Sequence, residues 1–267
     1  MPTVDGIGYG ELTPLKIEHL SKIIDMHLMI TQAVLRKNRY YHQWYRYVDL
    51  TAGKGHTENG TAGSPIVFVE QAEAGRFNIP YRVDLIEREI NNLTELESSI
   101  KTRSAQENWP TRNLSFRHGE YQAIVPSLFK RKDKNELGLV FVDPSGDLPD
   151  FDTLSYIAKS RPRMEILIYV SSTNIKRLYQ YSGKLLSDYM KDVGKKHWLI
   201  RKPIAWDSHK WTFLLGSDSD IFSDYKKIDF LRITSKEAQS FFPQINLSQR
   251  QITDRLQSNF FGICDDE

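Results

Sequence analysis

The chain contains a single cysteine, Cys264, in 267 residues. That excludes an intramolecular disulfide framework and a cysteine-rich metal site, and its place near the end argues against a thiol nucleophile. Neither a signal-peptide pattern nor an apolar run long enough to cross a bilayer is found, so a cytoplasmic protein with no membrane partner is expected. Net charge is also small, because 36 Lys and Arg against 34 Asp and Glu leave only +2. The chain as a whole is thus no polycation, and the short basic clusters Lys130-Arg131-Lys132, Arg201-Lys202 and Lys226-Lys227, which could track phosphates locally, read mainly as solvated faces. Repeats and low-complexity tracts are missing, as is the phosphate-loop string G-x-x-x-x-G-K-[ST]. What is present is the composition of an ordinary globular domain, 40% apolar and 26% charged, long enough to bury a sizeable core.

Strand-like and helix-like patterns alternate along it. Thr13-Pro14 reads as an N-cap with a first-turn proline, and Ile17, Leu20, Ile24, Leu28, Thr31 and Leu35 follow at helical spacing. This predicts an opening helix beside a sheet. Aromatics crowd Arg39 to Tyr47, where covering the sheet edge is favoured over stacking on nucleobases. Strands are predicted over Tyr47–Leu50, Tyr81–Ile86, Leu114–Arg117, Gly138–Val142, Glu165–Val170, His197–Ile200 and Trp211–Leu215. Helices are predicted from an N-cap at Ser64 to a stop at Gly75, over Glu89–Thr102 and Tyr121–Phe129, after a cap at Asp150, and over Asn174–Asp192. The fold expected is α/β, a Rossmann-like, seven-stranded, mainly parallel sheet with an antiparallel last strand and helices on both faces. Residues 1–230 would form that domain. Residues 231–267 would add a helical extension, with helices after Ser235 and over Leu247–Leu256.

The densest signal is Tyr47-Val48-Asp49-Leu50-Thr51-Ala52-Gly53-Lys54-Gly55. A short apolar strand runs into an acid and a glycine turn, and strand carboxyl ends are where open α/β sheets bind ligands. Two further acids end predicted strands, Glu87 on the second and Asp143 on the fourth, so all three would ring one cleft. Glu87 is placed to accept hydrogen bonds from the two hydroxyls of a ribose. Asp49 is placed to meet a cofactor's ammonium, and Asp143, with Pro144 fixing the backbone behind it, faces the substrate. The third glycine of G-x-G-x-x-G is absent, and the next helix is delayed to Pro65. Both features disfavour a dinucleotide, whose pyrophosphate sits on a helix that starts at the turn. Lys54 and His56 would contact a cofactor carboxylate or a substrate phosphate, or point to solvent. No metal site is expected.

From about Tyr45 to Gly216 the pattern resembles the class I S-adenosylmethionine-dependent methyltransferases. More closely, it is similar to the three-Cys-motif partner family, whose D-x-x-A-G-x-G strand end followed by G-S-P matches Asp49 to Gly55 with Gly63-Ser64-Pro65. That family's D-P-x-G after the fourth strand matches Asp143-Pro144-Ser145-Gly146. The chain departs from it at Thr51, where Phe is more usual, and at Ser145, where an aromatic is. The resemblance implies an S-adenosyl-L-methionine cofactor bound by Asp49, Thr51, Ala52, Gly53 and Gly55. Glu87 would take the ribose, and His118-Gly119-Glu120 the adenine edge. It implies methyl transfer with Asp143 and the Pro144 carbonyl holding an acceptor amine, and with Tyr121, Tyr169 or Trp206 supplying the aromatic that Ser145 does not. Nucleic acid is the favoured acceptor; a catalytically inactive cofactor-binding module serving a protein partner is the alternative. Cytosine C5 methylation is excluded by the lack of a Pro-Cys nucleophile.

Overall fold

A computed structural model describes residues 13–57, 59–144, 148–171, 174, 182–206 and 209–241. Helix α1 (Thr13–Lys37) precedes β1 (Tyr45–Asp49), α2 (Ser64–Glu73), β2 (Tyr81–Glu87), α3 (Ile90–Glu107), β3 (Leu114–His118), α4 (Tyr121–Leu128) and β4 (Leu137–Val142). Then come α5 (Phe151–Ser160), β5 (Met164–Ser171), α6 (Leu186–Val193), β6 (His197–Arg201), β7 (Ile204–Trp206), β8 (His209–Ser217), α7 (Phe222–Tyr225), β9 (Phe230–Arg232) and α8 (Lys236–Phe241). Among the described residues, no helix is long and apolar enough to cross a membrane.

Among the described residues the sheet has nine strands rather than the seven expected, in the order β3-β2-β1-β4-β5-β8-β6-β9, with β7 paired to β8 outside that path. Strands β3, β2, β1, β4 and β5 run parallel. The expected antiparallel strand is β8, wedged between β5 and β6 and antiparallel to both. The two additional strands have three residues each, too short to show a period of two. Strand β7 lies inside what reads as a link from Lys202 to Lys210, and pairs Ile204 with Trp211. Strand β9 adds an antiparallel edge to β6 through Phe230–Arg232, at the point where helices alone were expected.

Helices cover both faces. On one, Leu20, Ile23, Ile24 and Leu28 of α1, Phe68 of α2 and Leu96 of α3 pack on Tyr47, Leu85, Phe141 and Leu167. On the other, Val125 of α4, Leu154 and Ile157 of α5 and Met190 of α6 pack on Val48, Val140, Ile166 and Ile168. Leu167 and Ile168 thus serve opposite faces, as strand alternation requires. Each such side chain contributes about 1.5–3 kcal/mol by burial. Gly138 on β4 is forced by its neighbour, since a Cβ there would lie 1.8 Å from the Arg46 carbonyl oxygen on β1.

Local signals fare well where their chemistry is short-range. Gly75 stops α2 at φ +80°, the Asp150 carboxylate accepts from the Thr153 amide at 3.0 Å to cap α5, and Ser235 accepts from the Ala238 amide at α8. Helix α3 runs past Thr102 to Glu107, because the left-handed residue that stops it is Asn108. The single helix expected over Asn174–Asp192 is not found. Residues 175–181 lie outside the described residues, the chain is non-helical at 183–185 with Gly183 at φ +67°, and α6 begins at Leu186. Leu247–Leu256 also lie outside the described residues. Trp44, in the aromatic segment, stacks on His42 at 4.3 Å and carries the Arg82 guanidinium over its ring.

Candidate functional site

Strand β1 lies between β2 and β4, with Asp49 level with Leu85 on one side and Phe141 on the other. The carboxyl ends of three strands therefore open on one place. Beyond Asp49 the chain is stitched to both neighbours: the Leu50 amide donates to the Phe141 carbonyl and the Ala52 amide to the Ile86 carbonyl, each at 2.9 Å. Gly53 follows with φ +65°, and its amide donates to Glu87 Oε2 at 2.9 Å. A Cβ on Gly53 would meet nothing within 4 Å, so open space lies over this backbone. Gly55 is different. Its φ is +86°, and a Cβ would sit 2.7 Å from Leu96 Cδ1, so this position needs glycine for conformation and for room. The Gly63 amide then closes the loop on the Gly55 carbonyl at 2.7 Å.

Gly63, not Ser64, is the residue before α2, with Ser64-Pro65 as its first two residues. The Ser64 hydroxyl bonds Asp49 instead. Asp49 is wholly buried, and its oxygens accept from the Thr51 amide at 3.1 Å and the Tyr47 hydroxyl at 3.2 Å. Burial pushes its carboxyl up to about 7. The Ser64, Thr51 and Tyr47 bonds oppose that rise, and the Asp143 charge adds to it. Glu87 is fixed by the Gly53 amide on one oxygen and the Glu89 amide (2.8 Å) on the other, which Asn92 also approaches at 3.5 Å.

These elements surround a cavity of about 360 Å³, within the usual range for a small-molecule site. Of the residues singled out in the sequence, Thr51, Ala52, Gly53, Gly55, Glu87, Gly119, Asp143 and Pro144 line it together, with Lys54, His56, Glu120 and Tyr121. Asp49 lies beneath the turn and His118 is exposed at the end of the edge strand β3; neither is in the lining. Ser145 and the side chain of Trp206 lie outside the described residues. Among the described residues, no group of three or more His, Cys, Asp or Glu is arranged to hold a metal ion.

Sequence reading placed Thr51 at the cofactor but missed its link to Asp143, and it missed Asn92 and the residues of α1. Thr51, an unusual residue at its place, accepts the Asp143 amide on its hydroxyl at 2.8 Å and so ties the end of β1 to the end of β4. Asn92 reaches Glu87 from the first turn of α3. From α1, Ile17 and Leu20 form cavity wall, and Lys16 Nζ meets Asp143 Oδ2 at 2.6 Å while lying 4.7 Å from the centre of the Tyr169 ring. Burial, and then the Asp143 charge, push the Tyr169 hydroxyl up. Helical periodicity marked Ile17 and Leu20 as inward-facing. It held no sign that Lys16 beside them would reach the fourth strand.

No family model matches the chain, and no curated protein does. Among solved structures it is similar to a protein from Legionella pneumophila, at 12% identity over 85% of this chain and 94% of that one, with a TM-score of 0.49. It is similar to a methyltransferase from Geobacter sulfurreducens (10% identity, 73% and 76% covered, TM-score 0.40). A third is an arsenic(III) S-adenosylmethionine methyltransferase from Chlamydomonas reinhardtii (12% identity, 64% and 62% covered, TM-score 0.42). Similarity at this level says nothing about the chemistry of the cavity.

Proposed function

We propose that the chain is an S-adenosylmethionine-dependent methyltransferase. The observation that carries this reading is the meeting of Glu87, the Gly53 turn and Asp143 in one cavity, each from a different strand end. The donor set suits the cofactor. A carboxylate oxygen accepts more than one hydrogen bond, so Glu87 can take ribose hydroxyls while keeping its amide partners. The open space over Gly53 lets a ligand approach the backbone. Gly119 and Glu120, two of the three residues assigned to the adenine edge, stand on the cavity wall. When bound, the cofactor supplies an electrophilic methyl group on a positively charged sulfur.

The chain's own residues do the rest. Glu87 and the glycine turn orient the donor, and aligning two reactants is the larger part of catalysis for a transfer of this kind. Asp143 and the Pro144 carbonyl are placed to accept hydrogen bonds from an acceptor amine. Ile17 and Leu20 of α1 add an apolar wall that keeps water from the reacting groups. Nucleic acid is the acceptor that the resemblance implies; Lys54 and Arg88 on the cavity wall support it. The second reading, a module that binds the cofactor without catalysis, is favoured by one contact: Lys16 already occupies Asp143.

Calorimetry with S-adenosylmethionine, S-adenosylhomocysteine, NAD and ATP tests the cofactor. Only the first two are expected to bind, and Glu87→Ala is expected to weaken both. Binding of NAD or ATP in their place overturns the reading. Transfer of a labelled methyl group to DNA, RNA or protein, lost in Asp143→Ala, separates an enzyme from an inactive module.

A further inference from the structure

Lys16 is the only residue of α1 to place a charge on the cavity's acceptor end among the described contacts, and its surroundings have a definite chemistry. Its ammonium lies 2.6 Å from a carboxylate oxygen and 4.7 Å from the centre of an aromatic ring. A carboxylate beside a ring face is a pairing that selects a cation, through charge on one side and the ring quadrupole on the other. The ring is held in place, since Tyr169 packs on Trp211 at 5.7 Å and Phe213 at 5.8 Å. The carboxylate is held too, through the Thr51 hydroxyl on its own backbone amide. The cation is the movable member, an ammonium on a flexible four-carbon stem.

We propose that Asp143 and Tyr169 form a subsite for an aliphatic ammonium group, and that Lys16 is its internal occupant, displaced when an acceptor amine enters. The proposal rests on the methyltransferase reading and replaces its nucleic-acid acceptor with another class, an amine on a flexible aliphatic chain. The Lys16 and Asp143 side chains are about one-fifth exposed, at 20% and 18%, and a partly exposed single pair of this kind is weak enough for a competing amine to replace. For transfer, the bound ammonium releases one proton to water. Its nitrogen lone pair then forms the N–C bond as the donor's S–C bond breaks with the electron pair staying on sulfur, leaving a methylated ammonium and a neutral thioether. Until then Lys16 keeps Asp143 neutralised and the acceptor end closed.

The test is a binding measurement on the full chain without cofactor, using n-butylammonium as probe, n-butanol as its neutral analogue and amide chemical shifts as readout. Emptying the subsite with Lys16→Met should strengthen n-butylammonium binding by about tenfold or more, the gain expected when a competitor that fills the site nine-tenths of the time is removed. Lys16→Gln, which keeps a polar stem, should give a smaller gain of the same sign. Adding Asp143→Asn should abolish the gain, and n-butanol should gain nothing. No gain in either Lys16 variant, an equal gain for n-butanol, or a gain only for adenosine or cytidine overturns the proposal; the last result would assign the subsite to a nucleobase. S-adenosylhomocysteine binding is measured on the same samples. If it persists while the n-butylammonium gain is missing, the subsite fails and the methyltransferase reading stands. If it is missing while the gain persists, the reverse holds.

Discussion

The two ends of β1 treat buried charge in opposite ways. At the amino end Arg46 lies between Asp84 and Glu136, at 2.8 and 3.0 Å. Arg161 adds a second cation to Glu136 at 2.6 Å, and Arg117 a second to Asp84 at 2.7 Å. Three residues on, Asp49 is equally enclosed, but its described partners are an amide and two hydroxyls. The first end is neutralised within the fold, which is how buried charges are ordinarily kept. The second holds a carboxyl that burial has pushed up to about 7, under a cavity assigned here to a positively charged cofactor. The charge matched at the amino end belongs to the architecture, and the carboxyl left without a described cation lies under the site.

Four measurements can break or sharpen that contrast, from the largest expected effect to the smallest. Arg46→Met leaves two buried carboxylates with one cation fewer and should cost about 5 kcal/mol in urea unfolding. S-adenosylhomocysteine affinity should stay within about twofold, a margin of less than half a kcal/mol. Parent-like stability would show that the amino end is not held by charge. Asp49→Asn keeps an acceptor for the Thr51 amide and turns the other atom into a donor towards the Tyr47 hydroxyl. The parent's carboxyl is raised in the folded state, so its stability contribution is full below about pH 4 and is lost as pH rises to about 7. The variant should therefore gain on the parent across that window, reaching about 4 kcal/mol and staying flat above it. A gap that does not change with pH would remove Asp49 as the titrating group.

The third measurement concerns the ligand. Glu87→Ala should weaken S-adenosylmethionine binding by about thirtyfold, roughly 2 kcal/mol, and a change of twofold or less would take the ribose role away from it. The fourth is Thr51→Val, which strands the Asp143 amide and should cost about 1 kcal/mol of stability. Its methyl transfer rate should fall further than its cofactor affinity, because what shifts is the acceptor end. Equal losses in both would make Thr51 a packing residue only.

What the sequence made legible is what short-range chemistry encodes. Asp49, the glycines to Gly55 and Pro65 lie within one strand–turn–helix unit, and the same local rules located Glu87 and Asp143 at strand ends. The parallel order then brought those ends together, since β2 and β4 flank β1. What escaped was set by tertiary contact. Ser64 read as a cap because serine before proline so often is one, whereas its hydroxyl is taken by a carboxylate 15 positions back in the chain. His118 falls outside the cavity because β3 is the edge of the sheet, where a strand end meets solvent. Thr51 and Lys16 both bind Asp143, from 92 and 127 residues away, distances at which no periodicity is informative.

The place of β8 in the sheet has a consequence for how the protein is made. Strands β5 and β6 are not neighbours; the gap between them is filled by His209–Ser217, which leaves the ribosome after both. Until it arrives, the edge of β5 from Ile166 to Ser171 has no partner for its backbone, and an unprotected apolar edge of that length invites pairing with another chain. Assembly of the second half is therefore a late, long-range event, slower than the local pairing of β1 with β2. A nascent chain halted before residue 209 would carry a nearly complete ligand cavity beside an open, adhesive seam.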